Sequence, residues 1–180
     1  MPPPDQIRLE LIVRDVDTEQ FAPLFHRLAA EGLTFTTLRQ AQRSNPDWLE
    51  RFTALDNATR NETGDPAVPR TPETMRDRLA SFQLEPDACF LALHRDDWIG
   101  YTLLDPRLSE GGRLEQGWTG VRPEHRRRGI ATALKVLGIE YARTQGYEVI
   151  VTAFRRLNMA SLGLSTKVGF VPTARSPSVR

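Results

Sequence analysis

Val121-Arg122-Pro123-Glu124-His125-Arg126-Arg127-Arg128-Gly129-Ile130-Ala131 joins an apolar, strand-like run to a long helical one. Its middle is a basic turn punctuated by glycine. The first N–H groups of a helix have no intrahelical acceptor, and the helix dipole is positive at that end. A strand-to-helix turn of this kind therefore suits an anionic phosphate group. Gly129 has no Cβ, which lets a ligand come close to the backbone. Three consecutive arginines add positive charge at the same place.

The charge of the whole chain is organised around this turn. Gly120 to Arg180 carries 11 Lys and Arg against 3 Asp and Glu, and residues 1–119 carry 13 against 20. A basic half suits an anionic ligand, and an acidic half suits a cationic one. The length of 180 residues is that of one domain with a short appendage. No apolar run approaches the ~18 residues of a membrane span, so no membrane partner is expected. Met1 to Asp5 has neither the basic nor the apolar part of a leader, and Cys89 is the single cysteine. Both features lead us to expect a cytoplasmic protein without disulfides. One short basic run without interleaved aromatics is a poor nucleic-acid surface, so no nucleic-acid partner is expected either.

Moving upstream from the turn, Arg113 to Val121 reads as a strand, and Ala88–Leu93 and Trp98–Leu104 as a hairpin. Thr71-Pro72 and Asn45-Pro46 are cap-then-proline helix starts. Leu33 to Leu38 reads as a strand. Ile7 to Val13 alternates apolar and polar residues, and a helix capped at Asp17 or Thr18 follows it to Gly32. Downstream of the turn a helix runs from Gly129 to about Thr144, with Ile130, Leu134, Leu137 and Tyr141 on one stripe. A strand at Tyr147–Ala153, a helix at Asn158–Lys167 and a last strand at Phe170-Val171 follow. The order after residue 32 is β-α-α-β-β-β-α-β-α-β, an α/β arrangement with a mixed central sheet. The strand Ile7–Val13 needs a partner, which its own sheet or a second subunit in a homodimer would supply.

The turn lacks the lysine and hydroxyl of a nucleotide P-loop and the spaced glycines of a dinucleotide site. What stands there is Arg126-x-x-Gly129-x-Ala131, which resembles the pyrophosphate loop of the GNAT acyltransferase superfamily. The resemblance extends to the preceding Val121-x-Pro123-x-His125, to Ala133-Leu134-Lys135, to Asn158, and to Lys167-Val168-Gly169-Phe170. It spans roughly Leu33 to Val171. Within that superfamily the chain is similar to the mycothiol-synthase-like, tandem-GNAT branch, on Leu55-Asp56-Asn57 and Arg70-Thr71-Pro72. The implied organisation is a tail and βα extension over residues 1–32, a GNAT domain over 33–173, and a tail over 174–180.

The resemblance implies an acetyl-CoA-dependent N-acetyltransferase in which a small-molecule primary amine attacks the thioester directly, with no metal. Acetyl-CoA would be the cosubstrate. Arg126, Arg127, Arg128, Gly129, Ile130 and Ala131 would cradle its pyrophosphate. Thr119, Gly120 and Val121 would line the pantetheine arm, and Asn158 would also face the cofactor. Glu115 is the expected base, acting through a water. The tyrosine that serves this family as acid falls at Ser165 here, so Tyr141 or Tyr101 would have to substitute, or the thiolate would leave unaided. Asp56, Glu62 and Asp65 would attract a cationic amine. A domain that holds acyl-CoA without transferring it, and a peptide or protein N-acetyltransferase, are the alternatives. Cys89 reads as a buried small hydrophobe, and His125 as a residue of the turn.

Overall fold

Leu9 and Leu11 alternate with charged neighbours, the pattern of a strand with one buried face. The computed structural model, which describes residues 6–60, 68–81, 84–106, 112–155 and 158–173, places that strand inside the sheet and not at its edge. In chain order the elements are β1 (Gln6–Ile12), α1 (Ala22–Ala30), β2 (Leu33–Thr37), α2 (Leu38–Ser44), α3 (Trp48–Arg60), α4 (Pro72–Ser81) and β3 (Cys89–His94). They continue with β4 (Asp97–Asp105), β5 (Arg113–Val121), α5 (Ile130–Thr144), β6 (Val149–Arg155), α6 (Met159–Lys167) and β7 (Val171–Pro172). The sheet order is β2-β3-β4-β5-β6-β1-β7, and every pairing is antiparallel except that of β5 with β6.

The partner that β1 needs comes from its own sheet. It pairs with all seven residues of β6, from Gln6↔Arg155 to Ile12↔Val149, and on its other side with β7. Leu9 and Leu11 are fully buried in a cluster with Leu114, Ile139, Ile150 and Phe170. On the same face α1 and α5 meet through Leu28, Ile130 and Leu134. The opposite face is covered by α2, α3 and α4 through Leu38, Phe52, Leu55 and Met75, with the Phe52 and Tyr101 rings edge to face at 5.1 Å.

Between β2 and β3 the chain forms three helices where the sequence suggests two. The unexpected one is α2, capped by Thr37, whose hydroxyl accepts the Gln40 N–H at 3.2 Å. Leu38 reads as the end of a strand because it follows five strand-like residues, but Thr37 is an N-cap and Leu38 and Ala41 are the buried i, i+3 pair of a helix. At Asn45-Pro46 the helix begins later than expected, with the Trp48 N–H bonded to the Asn45 carbonyl. At Thr71 the expected cap forms, its hydroxyl accepting the Thr74 N–H at 3.3 Å. The Phe82, Glu62, Asp65 and Ser109–Gly111 positions lie outside the described residues. No helix among the described residues is long and apolar enough to cross a membrane.

Because β1 is interior, truncating it costs what a core truncation costs. Leu9→Ala is expected to lower the unfolding free energy by about 2–5 kcal/mol. Glu10→Ala, which removes one surface ion pair to Arg113, should cost under ~1 kcal/mol. Urea unfolding of the two variants beside the parent checks this.

Candidate functional site

The strand-to-helix turn is built as the sequence suggests. After β5 a short helical turn at Pro123–His125 leads to Gly129, which caps α5 with φ +86° and no side-chain hydrogen bond. The first helical bond of α5 runs from the Ala133 N–H to the Gly129 carbonyl at 3.0 Å. The N–H groups of Ile130, Ala131 and Thr132 precede it, so the helix itself gives them no acceptor. Arg127 is also left-handed, at φ +63°. A Cβ on Gly129 would sit 2.7 Å from Leu24 Cδ1 and 3.3 Å from Arg27 Nη2. The left-handed backbone favours glycine here, and the Leu24 side chain of α1 fills the space a Cβ would take.

The three arginines do different things. The Arg126 Nε donates to the Val121 carbonyl at 3.0 Å, tying the turn to the end of β5. Arg128 donates from Nε and Nη2 to Glu31 Oε2 at 3.1 and 2.5 Å. Arg27 donates to Glu31 as well, and to the Arg128 carbonyl at 2.8 Å. The Arg128 and Arg27 guanidiniums hold the Glu31 carboxyl below its usual range. The charge of Arg128 is thus balanced by α1, while Arg127 is exposed. His125 touches Arg128 through Nδ1 at 3.2 Å and meets the His94 ring edge to face at 5.8 Å, as a residue of the turn. Burial lowers its pKa.

A fork opens beside the turn. The parallel pairing of β5 with β6 begins at Arg113↔Val149 and ends at Gln116↔Thr152. From Thr119 to Val121, β5 stays paired with β4 through Thr102↔Thr119, Tyr101↔Gly120 and Gly100↔Val121. Among the described residues its other edge has no strand partner. The register with β4 slips between Thr102 and Leu104, which adds a residue to β5 at Gly117 and Trp118. On the α3 side Gly120 lets Thr59 and the Trp118 ring close onto the strand, since a Cβ there would lie 2.6 Å from Trp118 Nε1. That indole N–H is buried without an acceptor among the described residues.

Behind the fork, on the α5 side, lies a buried polar chain that sequence reasoning missed. Lys135 Nζ donates to Gln116 Oε1 at 2.7 Å, and Gln116 Nε2 donates to Thr102 Oγ1 at 3.2 Å. Thr102 Oγ1 lies 2.7 Å from Thr119 Oγ1, and the Thr152 hydroxyl donates to the Gln116 carbonyl at 3.2 Å. The ammonium also sits 5.0 Å from the centre of the Phe170 ring. Lys135 is 5% exposed, and burial alone lowers its pKa from 10.5 to about 7. The available signal was positional. Lys135 falls on the stripe of Ile139 and Ala142, both wholly buried, whereas Leu137 and Tyr141 of the expected stripe are only partly buried.

The other candidates divide between the two faces of the sheet. Glu115 lies next to Gln116 on β5 and points to the opposite face, with Arg8 Nη2 at 3.7 Å. Burial raises its pKa, with Asp105 adding to the rise and Arg8 and Arg113 opposing it. Ser165 is the buried residue of α6, and its carbonyl accepts the Val168 and Phe170 N–H groups. Asn158 caps α6, its side chain accepting the Ser161 N–H at 3.1 Å.

Tyr101 is not placed to act as an acid at the fork. Its hydroxyl donates to Asp56 Oδ1 at 2.6 Å on the α3 face, and burial pushes its pKa well up, with the Asp56 charge adding to the rise. Tyr141 packs against Phe90 and lines a solvent-open cavity of about 580 Å³ with Arg39, Glu85, Asp87 and Tyr147. It lies six residues beyond Lys135 on α5, roughly 9 Å further along the axis. Asp56 is buried and held by Tyr101, Arg70 and Arg60, so it presents no open carboxylate to a cation. Cys89 is wholly buried and its thiol pKa is pushed up by burial. Among the described residues no three His, Cys, Asp or Glu side chains gather as a metal site would require.

An open strand edge leading to an uncapped helix N-terminus is what a long ligand ending in phosphate requires. The family model described as Acetyltransferase (GNAT) family matches residues 50–170, and the chain belongs to that family. It is 32% identical over 107 residues to human N-acetyltransferase 8B, a match that takes in 57% of this chain and 47% of the relative. The chain thus spans about half the length of this relative. Among solved structures it resembles a tandem GNAT protein from the clavulanic acid biosynthesis pathway, with TM-score 0.65 and 17% identity over 96% of this chain and 51% of the other. It also resembles the aminoglycoside N-acetyltransferase AAC(6')-Iy in complex with CoA, with TM-score 0.61 and 17% identity over 82% and 93% of the two chains.

Two stability measurements test this geometry. Gly129→Ala places a Cβ on a left-handed residue against Leu24 and should cost at least ~1 kcal/mol. Gly163→Ala, in α6 with open space around it, should be neutral or stabilising by roughly 0.5–1 kcal/mol. Thermal melts of both variants decide. For Lys135, the unfolded chain keeps a proton between about pH 7 and 10.5 that the folded chain has released. The unfolding free energy therefore rises with pH across that window. The difference in denaturant stability between the parent and Lys135→Met should grow as the pH falls from 10.5 to 7, with the variant the more stable at pH 7.

Proposed function

We propose that this domain transfers an acetyl group from acetyl-CoA to the primary amine of a small molecule, by direct attack of the neutral amine on the thioester. The observation that carries the reading is the fork. β5 leaves β6 at Gln116, and its open edge leads to the uncapped N-terminus of α5. In this reading the N–H groups from Arg127 to Ala131 hold the pyrophosphate, helped by the exposed Arg127 and by Arg126. Thr119, Gly120 and Val121 offer the pantetheine arm a strand edge to pair with. Asn158 caps α6 on the far side of the fork.

On the other face of the sheet Glu115 takes the amine proton through a water. Its raised pKa makes it a stronger base than an exposed carboxylate. An N–H on the open edge of β5 polarises the thioester carbonyl. The tandem-GNAT, mycothiol-synthase-like branch is the relationship we favour within the family, with residues 1–32 as an extension to a domain over 33–173. A second reading, acyl-CoA binding without transfer, draws on Ser165, which is too weak an acid to stand in for a tyrosine.

Two assays separate these readings. Acetyl-CoA should raise the melting temperature of the chain, and a panel of aminoglycosides, polyamines, amino acids and peptides should identify acceptors by release of free thiol. Stabilisation without thiol release from any acceptor favours the second reading, and release with peptides alone makes the acceptor a peptide. In a chain that turns over, Glu115→Gln should lower kcat/KM by about 10²-fold or more. It should also remove the acid limb of the pH–rate profile, a limb lying above the ordinary carboxylate value of 4.5 in the parent.

A further inference from the structure

Two arginines lie near Glu115, and they are held very differently. Arg113 donates to Glu10 Oε2 at 3.0 Å, so its charge is balanced across the strands. Arg8 only approaches Glu115, with 3.7 Å from Nη2 to Oε2, and its guanidinium makes no hydrogen bond among the described residues. We propose that Arg8 holds a carboxylate of the acceptor, which makes the acceptor a free α-amino acid. The assignment rests on the acetyl-CoA reading of the fork and on Glu115 as its base.

Position favours it. Arg8 pairs across β1 and β6 with Ala153, the first β6 residue beyond Thr152, where the parallel pairing with β5 ends. Glu115 pairs with Val151, just before that end. The two side chains start from strands on either side of β6, about 10 Å apart at the usual strand spacing. Over β6 they close to 3.7 Å. Ala153 beneath them is small and exposed. A molecule that reaches the closed end of the fork from this face therefore meets Ala153 below, Glu115 on the β5 side and Arg8 on the β1 side.

The chemistry selects the group that Arg8 takes. Its side chain is 51% exposed, so a solute reaches it. An exposed ion pair without a hydrogen bond contributes little, so Glu115 competes weakly for the guanidinium. A carboxylate seated on two parallel N–H donors makes a stronger contact. Because the guanidinium lies 3.7 Å from Glu115, the anion it binds has to be a near neighbour of the amine that Glu115 serves. An α-amino acid meets this condition, since one carbon separates its amine from its carboxylate. A polyamine or an aminoglycoside brings a cation or a hydroxyl there instead, and a peptide N-terminus brings an amide. Occupancy also helps the base. Asp105 raises the Glu115 pKa, whereas Arg8 and Arg113 lower it. A carboxylate on Arg8 offsets that pull, so Glu115 becomes the stronger base as the acceptor arrives.

The step balances without a further reactant. The amine lone pair forms the C–N bond, the C–S pair goes to sulfur, and the amine proton passes through water to Glu115. The thiolate takes a proton from solvent on release, and the carboxylate leaves unchanged on the N-acetyl amino acid.

The test is thiol release from acetyl-CoA by the complete chain with matched acceptors: alanine, alaninamide and ethylamine, and phenylalanine, phenylalaninamide and phenethylamine. The amide has the least basic amine of each three and offers the most neutral nucleophile, so a preference for the acid cannot come from the amine itself. At a pH above the acid limb, at least one acid should exceed its amide by about 10-fold or more in kcat/KM, chiefly through KM. Arg8→Met should lower kcat/KM for that acid by about 10–10²-fold and leave its amide within about threefold of the parent. The rise in melting temperature with acetyl-CoA should be the same in parent and variant, which shows the fork intact. Should Arg8→Met not fold, Arg8→Gln provides the same comparison. If no acid is acetylated faster than its amide, if γ-aminobutyrate serves as well as the best acid, or if Arg8→Met keeps the preference, the inference is overturned while acetyl-CoA binding stands. If the parent fails to bind acetyl-CoA, the reading of the fork itself falls, and this inference with it.

Discussion

Everything in this domain follows from a parallel strand pair that stops after four residues. Beyond Gln116↔Thr152, β5 and β6 are neighbours that no longer share hydrogen bonds. Two backbone edges inside a sheet are costly to leave apart, and a closed sheet would be the lower-energy default. Something must hold them open, and the structure supplies it from both sides. β6 is bonded along all seven residues to β1, so its direction is set by the N-terminal strand and not by β5. β5 is held by β4 across a bulge at Gly117 and Trp118 that turns the strand just where it leaves β6. The N-terminal strand is thus part of the frame that holds the two strands apart.

The turn was legible because its chemistry is local. Strand, basic turn, glycine and helix follow one another in fourteen or so residues, and no distant partner is needed to recognise them. The caps at Thr71 and Asn158 were legible for the same reason. What the sequence could not show are pairings made at long range. Nothing near Arg128 announces Glu31, ninety-seven residues earlier, and without that pair the turn looks more cationic than it is. Nothing near Gly129 announces Leu24, whose side chain fills the space a Cβ would take. Asp56 looked like an open carboxylate for the same reason: its partners Arg70 and Tyr101 are distant in sequence. Helix α2 was hidden by a different conflict, since Leu33 to Leu38 has strand composition to its last residue and only the Thr37 cap changes the outcome.

The two faces of the sheet carry different polar groups. On the α5 face the polar atoms are buried and linked in one chain from Lys135 through Gln116 to Thr102 and Thr119. Such a chain fixes side-chain positions at the expense of stability, because each member must be desolvated. On the other face Glu10, Arg8, Arg113 and Glu115 form a half-exposed ladder across β1 and β5, in contact with water. In the proposed reaction a base that exchanges protons with solvent is best placed on the wet face, where Glu115 lies. Strand alternation sends the adjacent residues Glu115 and Gln116 to opposite faces.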